Sequence, residues 1–179
     1  MKVLITGITG FVGSHLADFL LSKSIEVFGL TRWRSPKENI EHIVDRINLV
    51  FGDLLDFSSL LHIIQETKPD TIYHLAAQSY VPYSFSAPVS TLDVNCIGTC
   101  NLLESIRIVR NYDNSYDPII CVCSSSEVYG QVSENEVPIT ENNVFRPASP
   151  YAVSKVCEDM LAFQYFISWK MKIIRTRLF

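Results

Sequence analysis

No apolar run in this sequence approaches the roughly 18 to 20 residues of a membrane-spanning helix, so no membrane association is expected. A basic excess is also missing. Fifteen Lys and Arg stand against 19 Asp and Glu, a formal net charge of −4 at pH 7. Chains that grip polynucleotide phosphates carry the opposite balance, which argues against nucleic acid as a main partner. The five cysteines, Cys96, Cys100, Cys121, Cys123 and Cys157, are odd in number and contain no Cys-x-x-Cys pair. Neither a disulfide framework nor a metal site is expected from them. Cys121 and Cys123 lie in an apolar run and are expected to be reduced and buried as small hydrophobes. Repeats and low-complexity tracts are absent. Glycine is scarce: seven in 179 residues, of which three fall within the first thirteen.

What is present describes a folded domain. Hydrophobic residues make up 47% of the chain, too many for disorder. The length suits one domain with a substantial core rather than two. Lys2 and the apolar residues after it have the outline of a signal peptide, but Gly7, Gly10, Gly13, His15 and Asp18 interrupt it. A folded strand and helix are expected there instead, and with them a cytoplasmic location.

Along the chain, strand and helix patterns alternate. Strands are expected over Lys2–Thr6, Ile25–Thr31, Ile47–Phe51, Thr71–Leu75, Pro118–Cys123 and Lys172–Leu178. Helices are expected over Phe11–Leu21, where Phe11, Val12, Leu16, Phe19 and Leu20 recur at helical spacing, and over Phe57–Glu66, Val89–Val109 and Tyr151–Trp169. The charged stretch Arg32–Arg46 carries one short helix, and Pro82–Pro88 reads as a loop. Alternation of this kind means parallel βαβ units. The expected fold is α/β, a Rossmann-like doubly wound parallel sheet covered on both faces.

The clustered glycines fall between the first strand and the first helix, in Gly7-Ile8-Thr9-Gly10-Phe11-Val12-Gly13. Alone, such a string is weak. In this position Gly7 permits a tight turn, Gly10 lets the backbone approach a pyrophosphate, and Gly13 lets the helix pack on the sheet. The free N–H groups of Thr9, Phe11, Val12 and their neighbours at the helix start favour an anion. The second strand ends at Thr31-Arg32-Trp33-Arg34 rather than at an acidic residue. Arg32 suits a 2′-phosphate, which leans the reading towards NADP, with NAD the alternative and solvated loop charges the bland reading. Asp53 is placed to accept from an adenine amino group, with Leu54 beside the ring. Leu75, Ala76 and Ala77 are small or apolar enough for a cofactor to lie across the strand end.

Two further features fall at the same sheet edge. The fifth strand runs into Ser124-Ser125-Ser126-Glu127-Val128-Tyr129-Gly130, and Tyr151 and Lys155 are four apart at a helix start, hence on one face. An ammonium beside a phenol favours the phenolate and makes tyrosine a usable base near neutral pH. A lone Tyr-x-x-x-Lys is common by chance; its weight comes from the glycine turn and the serine-rich strand end that precede it in order.

Taken together, these strings resemble the extended short-chain dehydrogenase/reductase family, with Gly52-Asp53-Leu54, His74-Leu75-Ala76-Ala77-Gln78-Ser79, Asn95-Cys96-Ile97-Gly98-Thr99 and Ser149-Pro150-Tyr151 adding to the match. Within that family the chain is similar to the nucleotide-sugar 4,6-dehydratases, and most to the GDP-mannose group. The resemblance implies Ser125, Glu127, Tyr151 and Lys155 as catalytic residues, with Ser79, Ser84, Ser125 and Ser126 contacting the substrate. Glu127 would remove the C5 proton of a 4-keto intermediate. Ser125 stands where the GDP-mannose group usually has threonine, and either supplies a hydroxyl. The implied partners are a nucleotide sugar, GDP-mannose first, and a second copy of the chain paired through the long helices into a homodimer or homotetramer. Family members carry their substrate-reading residues mostly beyond the sixth strand, so this chain is expected to be an N-terminal cofactor domain, residues 1–179, lacking the C-terminal substrate lobe and not turning over alone. Rival readings are an epimerase, a decarboxylase or a 4-keto reductase on the same scaffold, and a non-catalytic NADP-binding module.

Overall fold

The computed structural model describes residues 1–179. Six parallel strands, β1 (Lys2–Thr6), β2 (Glu26–Thr31), β3 (Asn48–Phe51), β4 (Thr71–His74), β5 (Ile119–Ser125) and β6 (Lys172–Leu178), form one sheet in the order β3-β2-β1-β4-β5-β6. The chain winds outward from β1 to β3, then crosses back to place β4 on the other side of β1. The carboxyl ends of β1 and β4 are therefore where the strand order reverses, and in such sheets ligands bind at that crevice.

Both faces of the sheet are covered. On one side α2 (Phe57–Thr67), α5 (Gly98–Tyr112) and α6 (Pro150–Trp169) bury a cluster built on Leu4, Ile72, Leu102, Ile106 and Ile120. On the other, α1 (Phe11–Ser22) and a 3₁₀ helix over Glu38–Arg46 bury Val3, Ile5, Ile8, Ala17, Ile40 and Ile43. Leu4 and its neighbours Val3 and Ile5 thus serve opposite cores, which explains a strand that is apolar without alternation. Each such fully buried aliphatic side chain contributes roughly 1.5 to 3 kcal/mol by leaving water.

Helix starts follow from local chemistry. The Asp56 carboxylate accepts from Ser58 N–H at the head of α2, and the Ser149 hydroxyl accepts from Ala152 N–H at the head of α6, where Pro150 occupies the first turn.

Four expectations need correction. Pro82–Pro88 is not a loop: α3 spans Val81–Ser86 and α4 spans Pro88–Leu92. Both prolines sit in a first turn, where the missing N–H costs nothing. The helix expected over Val89–Val109 is continuous from α4 into α5 but passes through a π turn at Asp93–Ile97. In α1 the buried face is Gly13, Ser14, Ala17 and Leu20, while Phe11 and Phe19 are exposed; small residues win that face because the helix lies close against β1. Of the cysteines, all are free but only Cys96 is buried. Cys121 and Cys123 are half-buried, since Ile120 and Val122 take the core side of β5.

Candidate functional site

A cleft of about 780 Å³ opens along the carboxyl ends of β1 to β5. Its walls come from the glycine turn, the Thr31–Ser35 segment, Gly52–Leu54, Leu75–Tyr80, Cys123–Ser124 and the first turn of α6.

The glycine turn is shaped as its positions require. Gly7 adopts φ +73°, and a Cβ there would meet the Ala76 backbone at 2.9 Å. A Cβ on Gly13 would stand 2.3 Å from the Gly7 carbonyl oxygen, so this glycine is what allows α1 to approach β1. Gly10 is exposed, and only the Gly7 oxygen, at 3.3 Å, would lie near a Cβ there. The first bond into α1 runs from Ser14 N–H to the Gly10 carbonyl, which leaves the Phe11, Val12 and Gly13 amides without an intrahelical acceptor. All three residues line the cleft. A backbone of unpaired N–H groups that no side chain obstructs fits a diphosphate.

Thr9, Arg32, Asp53, Leu54, Leu75, Ala76 and Ala77 line the same cleft. Asp53 accepts from Leu55 N–H through Oδ1, which holds its carboxylate at the end of β3. Leu54 packs against Gly98, where a Cβ would approach it to 2.8 Å.

Tyr151 and Lys155 also line the cleft, on the first turns of α6. Tyr151 is nearly buried. Lys155 donates from Nζ to the Cys123 carbonyl at 2.6 Å and to Glu158 Oε2 at 2.7 Å, with side-chain exposures of only 4% and 1% for the pair.

Other expected residues are placed differently. Ser79 lines the cleft; Ser84 is fully buried and donates its hydroxyl to the Val81 carbonyl at 2.6 Å, away from the cleft. The hydroxyl is consumed because α3 is a helix, in which Ser bonds back to a preceding carbonyl. Ser125 ends β5 and accepts from Glu127 N–H, outside the cleft wall, as are half-buried Ser126 and exposed Glu127.

Sequence reasoning gave no role to the polar network beneath the site. Asn95, in the π turn, donates to the Gln78 carbonyl at 3.0 Å and to Ser154 Oγ at 2.8 Å, and accepts from Gln78 N–H. Ser154 in turn donates to the Tyr151 carbonyl. The network ties the β4 loop to the turn of α6 that carries Tyr151. One level lower, Thr6 accepts from the Leu75 and Ala76 amides and so gives its own proton to His74 Nδ1 at 2.8 Å. His74 Nε2–H donates to Thr99, whose proton goes to the Asn95 carbonyl. This chain fixes one neutral tautomer, and burial, with the Lys155 charge second, lowers the His74 pKa to about 3. The available signal was a set of polar residues at the ends of otherwise apolar elements.

No helix is long and apolar enough to cross a membrane. A family model for GDP-mannose 4,6 dehydratase matches residues 4–179. A GDP-mannose 4,6-dehydratase of Vibrio cholerae is 42% identical over 181 residues, covering 95% of this chain and 47% of that protein. Among solved structures, a dTDP-glucose 4,6-dehydratase of Streptomyces venezuelae with NAD bound superposes with TM-score 0.87 at 28% identity, over 99% of this chain and 55% of that one. A UDP-glucose 4-epimerase of Thermus thermophilus in complex with NAD gives 0.86 at 32% identity, over 99% and 54%. The chain spans about half the length of the curated relatives it matches. Because the family match runs through the glycine turn, the β4 loop and the Tyr151–Lys155 helix alike, this chain belongs to the GDP-mannose 4,6-dehydratase family.

Proposed function

We propose that residues 1–179 are the dinucleotide-binding domain of a nucleotide-sugar 4,6-dehydratase that converts GDP-mannose to its 4-keto-6-deoxy product with a tightly held NADP, in the cytoplasm. The observation that carries this reading is a single cleft lined by both the glycine turn and the Tyr151–Lys155 face, in a chain 42% identical to a GDP-mannose 4,6-dehydratase.

The unpaired amides of α1 would hold the pyrophosphate, Asp53 the adenine, and Arg32 a 2′-phosphate. Bound there, the nicotinamide supplies reversible hydride acceptance, so oxidation at C4 and reduction at C6 cancel. The remaining chemistry falls to side chains. Tyr151 takes the O4 proton as general base, with Lys155 on the same face of α6. Ser125 fixes the O4 oxygen. Glu127 removes the C5 proton, which the new ketone makes acidic, and hands a proton to the hydroxyl leaving C6 as water. Tyr151 then returns its proton to C5, and the proton count closes. Ser125 and Glu127 directly follow the cleft-lining Ser124 on the turn that leaves β5, and their assignment rests on the resemblance of the Ser124–Gly130 string to the family.

A homo-oligomer is part of this reading. Val153, Met160 and Ile167 recur every seven residues along α6 and are exposed, with Phe163 and Phe166 beside them. A stripe of that kind suits a second helix pair.

The test is to incubate the full-length protein with GDP-mannose and NADP. Loss of water without net NADPH accumulation is expected. Reaction of a UDP-uronate alone, with release of carbon dioxide, would refute the substrate assignment. Tyr151→Phe is expected to lower turnover about a thousandfold while leaving NADP affinity close to unchanged. Undiminished turnover in that variant would remove Tyr151 from the mechanism.

A further inference from the structure

Glu158 is a fully buried carboxylate that the proposed reaction does not use. It lies one turn beyond Lys155 on α6, and its Oε2 accepts from Lys155 Nζ at 2.7 Å. The ammonium has three N–H donors. The Cys123 carbonyl takes one and Glu158 a second, which leaves the third for the cleft that Lys155 lines.

The groups around the pair do not duplicate this role. On α6 itself Asp159 is claimed by Arg175 at 2.5 Å and by Arg177 at 2.9 Å. From the π turn comes the Cys96 thiol and from β5 the Cys123 thiol, both pushed up by burial and so uncharged. From β4 comes His74, held neutral. A buried ion pair contributes little net stability relative to apolar packing, but removing one partner leaves the other charge stranded.

We propose that Glu158 is a positioning residue: its buried carboxylate anchors the Lys155 ammonium at the cleft floor and fixes its orientation, with one N–H free for the reacting groups. This rests on the role given above to Lys155. Burial also raises the Glu158 carboxyl to about 7 against the pull of Lys155, so mild acidification weakens the anchor.

The experiment follows the Lys155 Nζ protons of full-length protein labelled with ¹⁵N-lysine by NMR, at constant pH. Their assignment comes from their loss in Lys155→Arg. In the wild type these buried, doubly hydrogen-bonded protons are expected to exchange slowly with water. In Glu158→Gln exchange should accelerate by about tenfold or more, with kcat at pH 7 down about tenfold and KM for the sugar nucleotide little changed. Glu158→Asp, which restores the charge, should recover part of both losses. Equal exchange rates in wild type and Glu158→Gln overturn the proposal. If Glu158→Gln does not fold, the wild type decides: Lys155 protons exchanging as fast as those of exposed lysines overturn it. The NMR readout needs no turnover. Faster exchange in Glu158→Gln of a protein that dehydrates no sugar nucleotide would therefore support the anchor while overturning the proposed reaction.

Discussion

Acidification is expected to destabilise this protein through His74. Its ring is buried, bonded on both nitrogens and neutral, with a pKa near 3 in the folded protein against 6.5 for the free side chain. Between those two values the unfolded chain binds a proton that the folded protein refuses. Stability therefore falls as pH drops below 6.5, by about 1.36 kcal/mol per unit. At pH 5 the His74 contribution is a loss of about 2 kcal/mol. Glu158 acts with the opposite sign: its folded pKa of about 7 lies above the ordinary value of 4.5, so the folded protein takes up a proton first and gains stability as pH falls through that window. The two contributions offset each other in the wild type. His74→Gln removes the first and keeps the second. Urea unfolding of wild type and variant at pH 7 and pH 5 isolates the difference, whatever constant cost the substitution carries. The change in unfolding free energy between the two pH values should be more favourable in the variant by about 2 kcal/mol. Parallel behaviour would mean that His74 is protonated in the folded protein, and would refute the hydrogen-bond chain from Thr6 to Asn95 drawn above.

Gly13→Ala places a Cβ 2.3 Å from the Gly7 carbonyl and is expected to cost about 1 to 3 kcal/mol in thermal or urea unfolding, with loss of dinucleotide binding. Gly10→Ala, whose Cβ meets only one atom at 3.3 Å, should fold normally and lose affinity alone, as measured by NADPH fluorescence. Asp159→Asn strands Arg175 and Arg177 between α6 and β6 and should cost roughly 3 kcal/mol in the same unfolding assay. Arg32→Ala should weaken NADP binding more than NAD binding, by about tenfold in the ratio of dissociation constants; an unchanged ratio would remove Arg32 as the residue that selects the 2′-phosphate.

Much of this protein was decided locally. Lys2–Thr6 is a strand because it is short and largely apolar, and the turn after it is glycine because Gly7 must adopt a positive φ and Gly13 must admit the Gly7 carbonyl. Tyr151 and Lys155 share a face because they are four apart on a helix that Ser149 and Pro150 start. Spacing along one element is enough for each of these, so the strand–helix alternation and the residues of the glycine turn were legible before any tertiary contact formed. The rest depended on partners far along the chain. Ser84 looked available until α3 turned its hydroxyl back on Val81, and the cysteines of β5 could not be divided between faces until the neighbouring strands were in register. His74 is neutral because packing buries its ring, with the Lys155 charge second, while Thr6 and Thr99, 68 and 25 residues away, bond its two nitrogens. Glu158 matters because α6 lays the Lys155–Glu158 pair against the Cys123 carbonyl and shuts water out. Hydrogen-bond partnership and burial are properties of assembled elements, and no periodicity within one element encodes them.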